Sequence, residues 1–291
     1  MENNQIVSLD ALLPPEMAAR AEQAGVRKAG LDWIGLFVLG VLAGAFIGLG
    51  GVFSTTVTAG TASAFPYGVT RLLAGLVFTL GLVLVIVGGA ELFTGNNLIV
   101  MAWASRQVST RGLLRNWGIV YAGNFLGSVL TALLVFLSGQ YLFGGGEVGR
   151  TALAIADTKV SYSFIQAVAL GILCNALVCL AVWLTMSART TTDRILAIIP
   201  PIAAFVAAGF EHSVANMYFI PFGLMIKNFA SEEFWTLIGG DPAQYADLTW
   251  QSFLVSNLLP VTVGNIIGGT LLVGIVYWFI YLRKRGKPVS V

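Results

Sequence analysis

The chain holds a single histidine, His212, which follows Glu211 inside a stretch that is otherwise apolar. Imidazole is the side chain whose charge changes most readily near neutral pH, so it can accept, donate or share a proton. Ionisable side chains inside membrane-spanning stretches are costly and are candidates for function. A lone core histidine is more often a packing residue, but the interruption beside it, Gly209-Phe210-Glu211, favours a functional role here.

This interruption has a counterpart at Gly89-Ala90-Glu91, in a second apolar stretch. An interrupted helix exposes N–H and C=O groups that lipid cannot satisfy, so breaks survive inside protein or along a watery cavity. Helices that restart near residues 94–97 and 213–216 would turn free N–H groups and positive dipole ends toward the membrane midplane. Because such helix ends favour anions, the two breaks predict a passage for a small anion.

The two glutamates at the breaks, Glu91 and Glu211, could in principle carry protons. A carboxylate along the route of an anion would repel it, however, which argues against that role. We therefore expect both glutamates to be structural and to accept hydrogen bonds from backbone N–H groups at the breaks.

A polar motif repeats downstream of each break. Asn116 precedes Gly123-Asn124-Phe125-Leu126-Gly127, and Asn257 precedes Gly264-Asn265-Ile266-Ile267-Gly268 at the same spacing. Each half of the chain then consists of a whole helix, a broken helix and a whole helix. Because three is an odd number of crossings, the second half enters the membrane from the opposite side, which predicts an inverted repeat. In transport folds the matched interruptions of such repeats mark the solute site. Asn124 and Asn265 are predicted to tie helices together rather than to contact solute.

The composition is that of a membrane protein, with 57% hydrophobic and 10% charged residues against roughly 25% charged in soluble domains. Runs of about 20 apolar residues cross the hydrocarbon core as helices. Joining the runs on either side of each break gives six crossings. They predict one all-α membrane domain at 31–282, with repeat halves at about 31–145 and 158–282.

Cationic residues divide unequally between the two ends of these helices, twelve against four. The end richer in Lys and Arg remains in the cytoplasm, which places both termini there and makes 283–291 a cytoplasmic tail. The amino-terminal end has acidic residues and no apolar run, so it is unlike a cleavable signal peptide. The twelve are Arg20, Arg27, Lys28, Arg106, Arg111, Arg115, Arg189, Arg194, Arg283, Lys284, Arg285 and Lys287, and the four are Arg71, Arg150, Lys159 and Lys227.

Two patterns predict packing surfaces. Gly40, Gly44 and Gly48 form a ridge of small residues on the first crossing helix, which permits close approach of a neighbour. In the amino-terminal segment 1–30, residues 15–28 are typical of a short amphipathic helix with proline near its start and cations near its end. We interpret that helix as an anchor at the membrane interface.

Several classes of function are disfavoured by the composition. A net charge of +2 is too small to indicate a nucleic-acid partner. Cys174 and Cys179 lie in one apolar run and are expected to be packing residues. One histidine and two buried cysteines do not supply a metal cage, and no nucleophile constellation is present. We predict no enzymatic activity and no cofactor.

The segments around the second break resemble the formate/nitrite transporter family, and the resemblance covers nearly the whole chain. The family's features are carried by Gly209-Phe210-Glu211-His212-Ser213-Val214-Ala215-Asn216-Met217, by Asn257-Leu258-Leu259-Pro260-Val261-Thr262-Val263-Gly264-Asn265-Ile266-Ile267-Gly268-Gly269 and by Ala90-Glu91-Leu92-Phe93-Thr94. The resemblance implies an aquaporin-like protomer with its own pore, assembled as a homopentamer in a bacterial cytoplasmic membrane. It also implies formate as the solute.

Roles for individual residues follow from the resemblance alone. Carried over by position, they are His212 and Thr94 at the pore centre, Phe78, Leu82 and Phe205 at a cytoplasmic constriction, Leu92 at a constriction on the other side, Lys159 as a vestibule lysine that attracts anions, Asn175 as a polar residue near the pathway, and Lys28 in a segment associated with gating.

The hypothesis for the mechanism is that the histidine lends a proton to the anion, or shares one with it, at an apolar constriction. Moving a bare carboxylate into low dielectric costs on the order of 20 kcal/mol. Protonating an ordinary carboxylate at pH 7 costs roughly 4 kcal/mol, so neutralisation is the cheaper route. Two alternatives stay open, a nitrite or hydrosulfide channel of the same family and, on the half-helix architecture, a water or glycerol channel.

Overall fold

A computed structural model describes residues 10–61 and 64–283 of the chain. The predicted tail cations Lys284, Arg285 and Lys287 lie outside these residues. Within the described ranges the chain is built from helices and turns and contains no strand, as the all-α prediction required.

Twelve helices form the described part. They are α1 (Pro14–Ala29), α2 (Trp33–Thr58), α3 (Tyr67–Gly88), α4 (Phe93–Asn96), α5 (Val100–Ala104), α6 (Thr110–Leu137), α7 (Glu147–Val160), α8 (Phe164–Ser187), α9 (Thr191–Ala208), α10 (Ser213–Phe229), α11 (Glu232–Ile238) and α12 (Ser252–Tyr281). Short 3₁₀ turns at Asn97–Ile99, Gln140–Leu142 and Pro242–Tyr245 join some of them.

Six of these helices, namely α2, α3, α6, α8, α9 and α12, are long and apolar enough to cross a membrane. The number agrees with the predicted six crossings. The segments α4 to α5 continue the second crossing, and α10 continues the fifth. The opposite orientation of the two halves follows from three crossings in each and stays a prediction.

Each broken crossing ends its first helix on a glycine in the left-handed region, Gly89 with φ of 82° and Gly209 with φ of 78°. Glycine adopts this conformation without the strain that a Cβ would cause, and it commonly terminates helices. The backbone N–H groups two residues after these glycines bond to other helices, since Glu91 N donates to Leu39 O at 3.2 Å and Glu211 N donates to Leu170 O at 3.3 Å. The two breaks are thus hydrogen-bonded to α2 and α8, respectively.

The two continuations differ in regularity. After the first break the chain forms short pieces, α4, a 3₁₀ turn and α5, whereas α10 runs for 17 residues. The stretch Thr94-Gly95-Asn96-Asn97 consists of weak helix formers, which accounts for the difference. The sequence repeat did not predict it. It also did not predict that α12 contains two π-helical segments, Ser252–Leu258 and Gly268–Ile275.

Glycines let α2 and α6 approach until their backbones touch. A Cβ added at Gly44 would overlap the carbonyl group of Asn124, and one added at Gly127 would overlap that of Val41. The equivalent pair α8 and α12 is packed in the same way through Gly171 and Gly264. The predicted ridge on α2 therefore packs inside the protomer.

Substitution of Gly44 tests this contact. We expect Gly44→Ala to lower stability by about 1–3 kcal/mol, because the added methyl group forces two backbones apart. Thermal unfolding in detergent can be followed by the reaction of a thiol-reactive fluorophore with Cys174 and Cys179, which are fully buried. Gly118→Ala, on the same α6 but with open space around the added Cβ, is the matched control and should unfold no earlier than the wild type. Equal midpoints for all three proteins would contradict the packing.

Candidate functional site

A closed cluster of polar side chains surrounds Glu91 at the first break. Lys28, in the last turn of α1, lies 2.8 Å from Glu91 Oε1 and donates to Asn96 Oδ1 at 3.0 Å. Asn96 donates to Glu91 Oε2 at 2.7 Å and to Asn116 Oδ1 at 2.9 Å. Asn116 closes the ring by donating to the Lys28 carbonyl at 3.0 Å. Both glutamate oxygens are therefore occupied.

The second break carries a similar cluster of the same residue types, except that Asn216 Oδ1 has no partner among the described residues where Asn96 Oδ1 accepts from Lys28. Lys159, in the last turn of α7, lies 2.7 Å from Glu211 Oε1. Asn216 donates to Glu211 Oε2 and to Asn257 Oδ1, both at 2.7 Å. Asn257 donates to the Lys159 carbonyl at 2.6 Å. Lys28 and Lys159 therefore occupy equivalent places in the two clusters, at the ends of α1 and α7, while the predicted repeat halves 31–145 and 158–282 stay a prediction.

Asn124 and Asn265 hold the breaks against their neighbouring helices. Asn124 accepts from Phe93 N at 2.9 Å and donates to the carbonyls of Gly40 and Glu91 at 2.8 and 2.9 Å. Asn265 likewise accepts from Ser213 N at 2.9 Å and donates to Gly171 and Glu211 at 2.8 and 2.9 Å.

The expected partners of the glutamates need a correction. We predicted that the carboxylates of Glu91 and Glu211 accept backbone N–H groups at the breaks. Those N–H groups instead meet the asparagine amides, and the carboxylates accept from lysine and asparagine side chains. The physical reason is charge, because a buried carboxylate is stabilised most by a cation and by several donors at once.

His212 and Thr94 meet where the two breaks come together. Thr94 Oγ1 lies 3.0 Å from His212 Nε2, and both side chains are buried. His212 also caps α10, since its Nδ1 accepts from Ala215 N at 3.0 Å. A neutral imidazole carries one proton, so an accepting Nδ1 places that proton on Nε2. The ring is thus set to donate from Nε2.

A cavity of about 950 Å³ ends at this histidine. It opens at the end of the bundle opposite α1, where α2 ends and α3 begins. His212 borders it together with Phe78, Phe205, Arg71 and Lys159. The Phe78 and Phe205 rings meet edge to face at 5.8 Å, and the Phe205 ring stacks on His212 at 5.8 Å.

The predicted sides of the constriction need a correction for Phe78, Phe205 and Leu92. Phe78 and Phe205 were expected on the cytoplasmic side, opposite Lys159, but they line the same cavity as Lys159. Both lie deep in their helices, so residue type and spacing did not reveal which side they face. Leu82 and Leu92 are buried and do not border this cavity. Leu92, which was expected on the other side from Leu82, is thus absent from the wall that Lys159 lines.

Asn175 is buried between the two halves rather than exposed to the cavity. Its amide nitrogen donates to the carbonyl of Asn265 at 2.6 Å and to Asn97 Oδ1 at 3.0 Å, and lies 3.3 Å from the carbonyl of Thr94. An amide group has two protons. The protein therefore uses both, and Asn175 positions the backbone beside Thr94.

Two features of the site were missed in the sequence. One is the partnership of Lys28 and Glu91, which the match between Lys159 and Lys28 at the ends of equivalent helices could have indicated. The other is Arg71, which reaches across to α9 and donates to the carbonyls of Val206 and Ala207.

Comparison with known proteins supplies independent findings. Residues 15–279 match the family model described as formate/nitrite transporter. The formate channel FocA of Escherichia coli K12 is 50% identical over 276 residues, covering 95% of this chain and 96% of that protein. The formate channel FocA of Haemophilus influenzae is 44% identical, with 94% and 95% covered. A solved structure described as a pentameric formate channel with formate bound has a TM-score of 0.81 at 47% identity, covering 90% of this chain and 99% of that one.

The two ion pairs, Lys28–Glu91 and Lys159–Glu211, are expected to contribute unequally to stability. Glu211→Gln should cost about 3–5 kcal/mol of stability, because it leaves a buried lysine without its carboxylate. Glu91→Gln should cost less, since the Lys28 side chain is 33% exposed against 14% for Lys159. The same thiol-based unfolding assay measures both.

A double variant, Lys159→Met with Glu211→Gln, tests whether the unpaired lysine charge causes the loss of stability. It should be more stable than Glu211→Gln alone, because no uncompensated charge remains. A double variant less stable than Glu211→Gln alone would show that the pair itself, rather than the stranded lysine, determines the cost.

Proposed function

This chain belongs to the formate/nitrite transporter family, and from that premise we propose that it is a passive channel for formate. The observation that carries the proposal is the cavity that ends at His212, where the two helix breaks meet. The relatives described as formate channels support the choice of solute. The structure described as pentameric supports a homopentamer with one pathway in each protomer.

The placement in the membrane is part of the same proposal. We infer a bacterial cytoplasmic membrane with both termini in the cytoplasm, because the α1 end of the bundle carries most of the cations. The cavity then opens away from the cytoplasm. Leu82 and Leu92, buried beyond the cavity, form the apolar barrier on the cytoplasmic side of His212, while Phe78 and Phe205 narrow the outer side.

The energetic problem for formate is crossing this apolar region. A bare carboxylate pays on the order of 20 kcal/mol in an idealised low-dielectric medium, and each strong donor that it meets offsets part of that cost. His212 borders the cavity, and its Nε2–H group is paired with Thr94 Oγ1 at 3.0 Å. An anion that arrives from the cavity takes the place of the threonine oxygen as the acceptor of this proton.

The hydrogen bond at Nδ1 determines whether His212 transfers its Nε2 proton to formate or only shares it. Full transfer of the Nε2 proton requires a second proton on Nδ1, which must displace the Ala215 N–H group from that position. Losing this helix cap costs about 1 kcal/mol. Neutral His212 therefore shares its proton with formate near pH 7, and transfer becomes easier in acid. The passage is accordingly pH-responsive.

Lys28 supports a further part of this proposal, the link between α1 and conduction. It is the residue through which α1 joins the first break, so movement of α1 away from the bundle separates Lys28 from Glu91. We propose that the gating role of this segment acts through that contact.

The test compares His212→Ala with His212→Asn in proteoliposomes, with formate uptake measured at pH 7.5 and pH 5.5. Alanine removes the donor, so uptake should fall at least tenfold at both values. Asparagine keeps an N–H donor but does not titrate, so it should retain more uptake than alanine and lose the pH response. Uptake unchanged in His212→Ala at both pH values would overturn the role of the histidine.

The same vesicles identify the solute. Formate should enter faster than nitrite, hydrosulfide or water through the wild-type protein. Faster nitrite or hydrosulfide entry would leave the proposed site unchanged and would show that the preferred solute is not formate. Entry of water alone would overturn anion conduction.

A further inference from the structure

The charges that border the cavity do not cancel. Its cations are Arg71, Arg150 and Lys159, and its anions are Glu147 and Glu211. Lys159 is paired with Glu211 at 2.7 Å, and Arg150 with Glu147 at 3.1 Å. An anion at some distance meets each of these pairs as a dipole, whose attraction falls off faster than that of a single charge. One positive charge, that of Arg71, is left.

Arg71 has no carboxylate partner among the described residues, where no carboxylate oxygen lies within 4.0 Å of it. Its partners are the carbonyls of Val206 and Ala207, in the last turn of α9. Hydrogen bonds to neutral carbonyls hold the guanidinium in place without neutralising it. The group therefore stays fully charged at a fixed point of the wall.

This point lies at the second break. A Cβ built on Gly209 would be 3.4 Å from Arg71 Nη2, and Gly209 is three residues before His212. The carboxyl end of a helix carries a partial negative charge of about half a unit, which would repel an arriving anion. Arg71 covers that end of α9 and reverses its sign. Backbone N–H groups close both helix ends, since Gly89 N and Ala90 N donate to Val85 O at the first break and Gly209 N and Phe210 N donate to Val206 O and Phe205 O at the second. Among the described residues, only the second end has, in addition, the Arg71 guanidinium.

The influence of Arg71 extends into the cavity. Tyr162, in the loop before α8, is another lining residue. Burial raises the pKa of its hydroxyl group, Glu211 raises it further, and Arg71 opposes the rise. At Tyr162 the charge of Arg71 therefore offsets only part of the effect of Glu211.

We propose that Arg71 is the charge-selecting residue of the pathway, the cation that concentrates small monovalent anions in the cavity before they reach His212. This inference rests on the proposed function and reassigns to Arg71 the long-range attraction that the family resemblance gave to Lys159. A charged cavity with low-dielectric walls raises the local concentration of the oppositely charged solute, and added salt screens the effect.

The experiment measures initial formate uptake at pH 7.5 in proteoliposomes, at about 10 mM and about 500 mM of an impermeant salt such as potassium gluconate. The Debye length is about 30 Å at the lower and under about 8 Å at the higher ionic strength. Arg71→Gln keeps hydrogen-bond donors and removes the charge, so uptake should fall roughly fivefold at low salt and less than about twofold at high salt. Arg71→Lys keeps the charge and should retain most of the uptake.

Lys227→Gln is the matched control. Lys227 is a cation at the same end of the bundle that is also held by two carbonyls, those of Ala246 and Leu248, but it does not line the cavity. Formate uptake by the Lys227→Gln protein should equal that of the wild type at both salt concentrations.

Three outcomes overturn the inference: unchanged uptake in Arg71→Gln, an equal loss at both salt concentrations, or an equal loss in Lys227→Gln. An equal loss at both concentrations would show that Arg71 acts through the structure of α9 alone. A wild-type protein that takes up no formate would instead overturn the proposed function, so the two failures are distinguishable.

Discussion

The structure depends on one constraint, that a helix interrupted inside a membrane must satisfy its backbone and any buried charge without water. The protein meets it twice with a lysine, a glutamate and two asparagines around each break. Every carboxylate oxygen has a donor, and the asparagines of α6 and α12 bind the free backbone groups. Removing one member would leave a further buried group unsatisfied, which destabilises the break.

This constraint also separates structural from functional residues. Glu91, Glu211, Lys28 and Lys159 are fully engaged with one another, although they are the residues that a search for ionisable groups finds first. His212 and Arg71 border the cavity and have no carboxylate partner among the described residues, and Thr94 is buried against His212 Nε2. Because Lys28 belongs to α1, the first break is complete only while α1 is docked. The second break depends on α7 in the same way.

Much of the fold could be predicted from the sequence, since apolar runs, matched glycines and matched asparagines each have a direct physical meaning. Contacts between helices that are distant in sequence could not. Residues 28 and 159 differ by 131 positions, 91 and 211 by 120, and 116 and 257 by 141. No single offset aligns the repeat, which concealed the equivalence of the two lysines. The side on which Phe78 and Phe205 act, and the reach of Arg71 to α9, depend on helix rotation and on side-chain direction.

Formate is proposed to cross this protein passively, and the equilibration of labelled formate across a vesicle membrane is the measurement to make. Proteoliposomes would hold the same buffer, pH and salt inside and outside, with no voltage and no energy source, and uptake and efflux would both be followed. We expect internal formate to rise to the external concentration and no further, at equal rates in both directions and in proportion to the amount of protein. Accumulation above the external concentration, or uptake no faster than in empty vesicles, would contradict it.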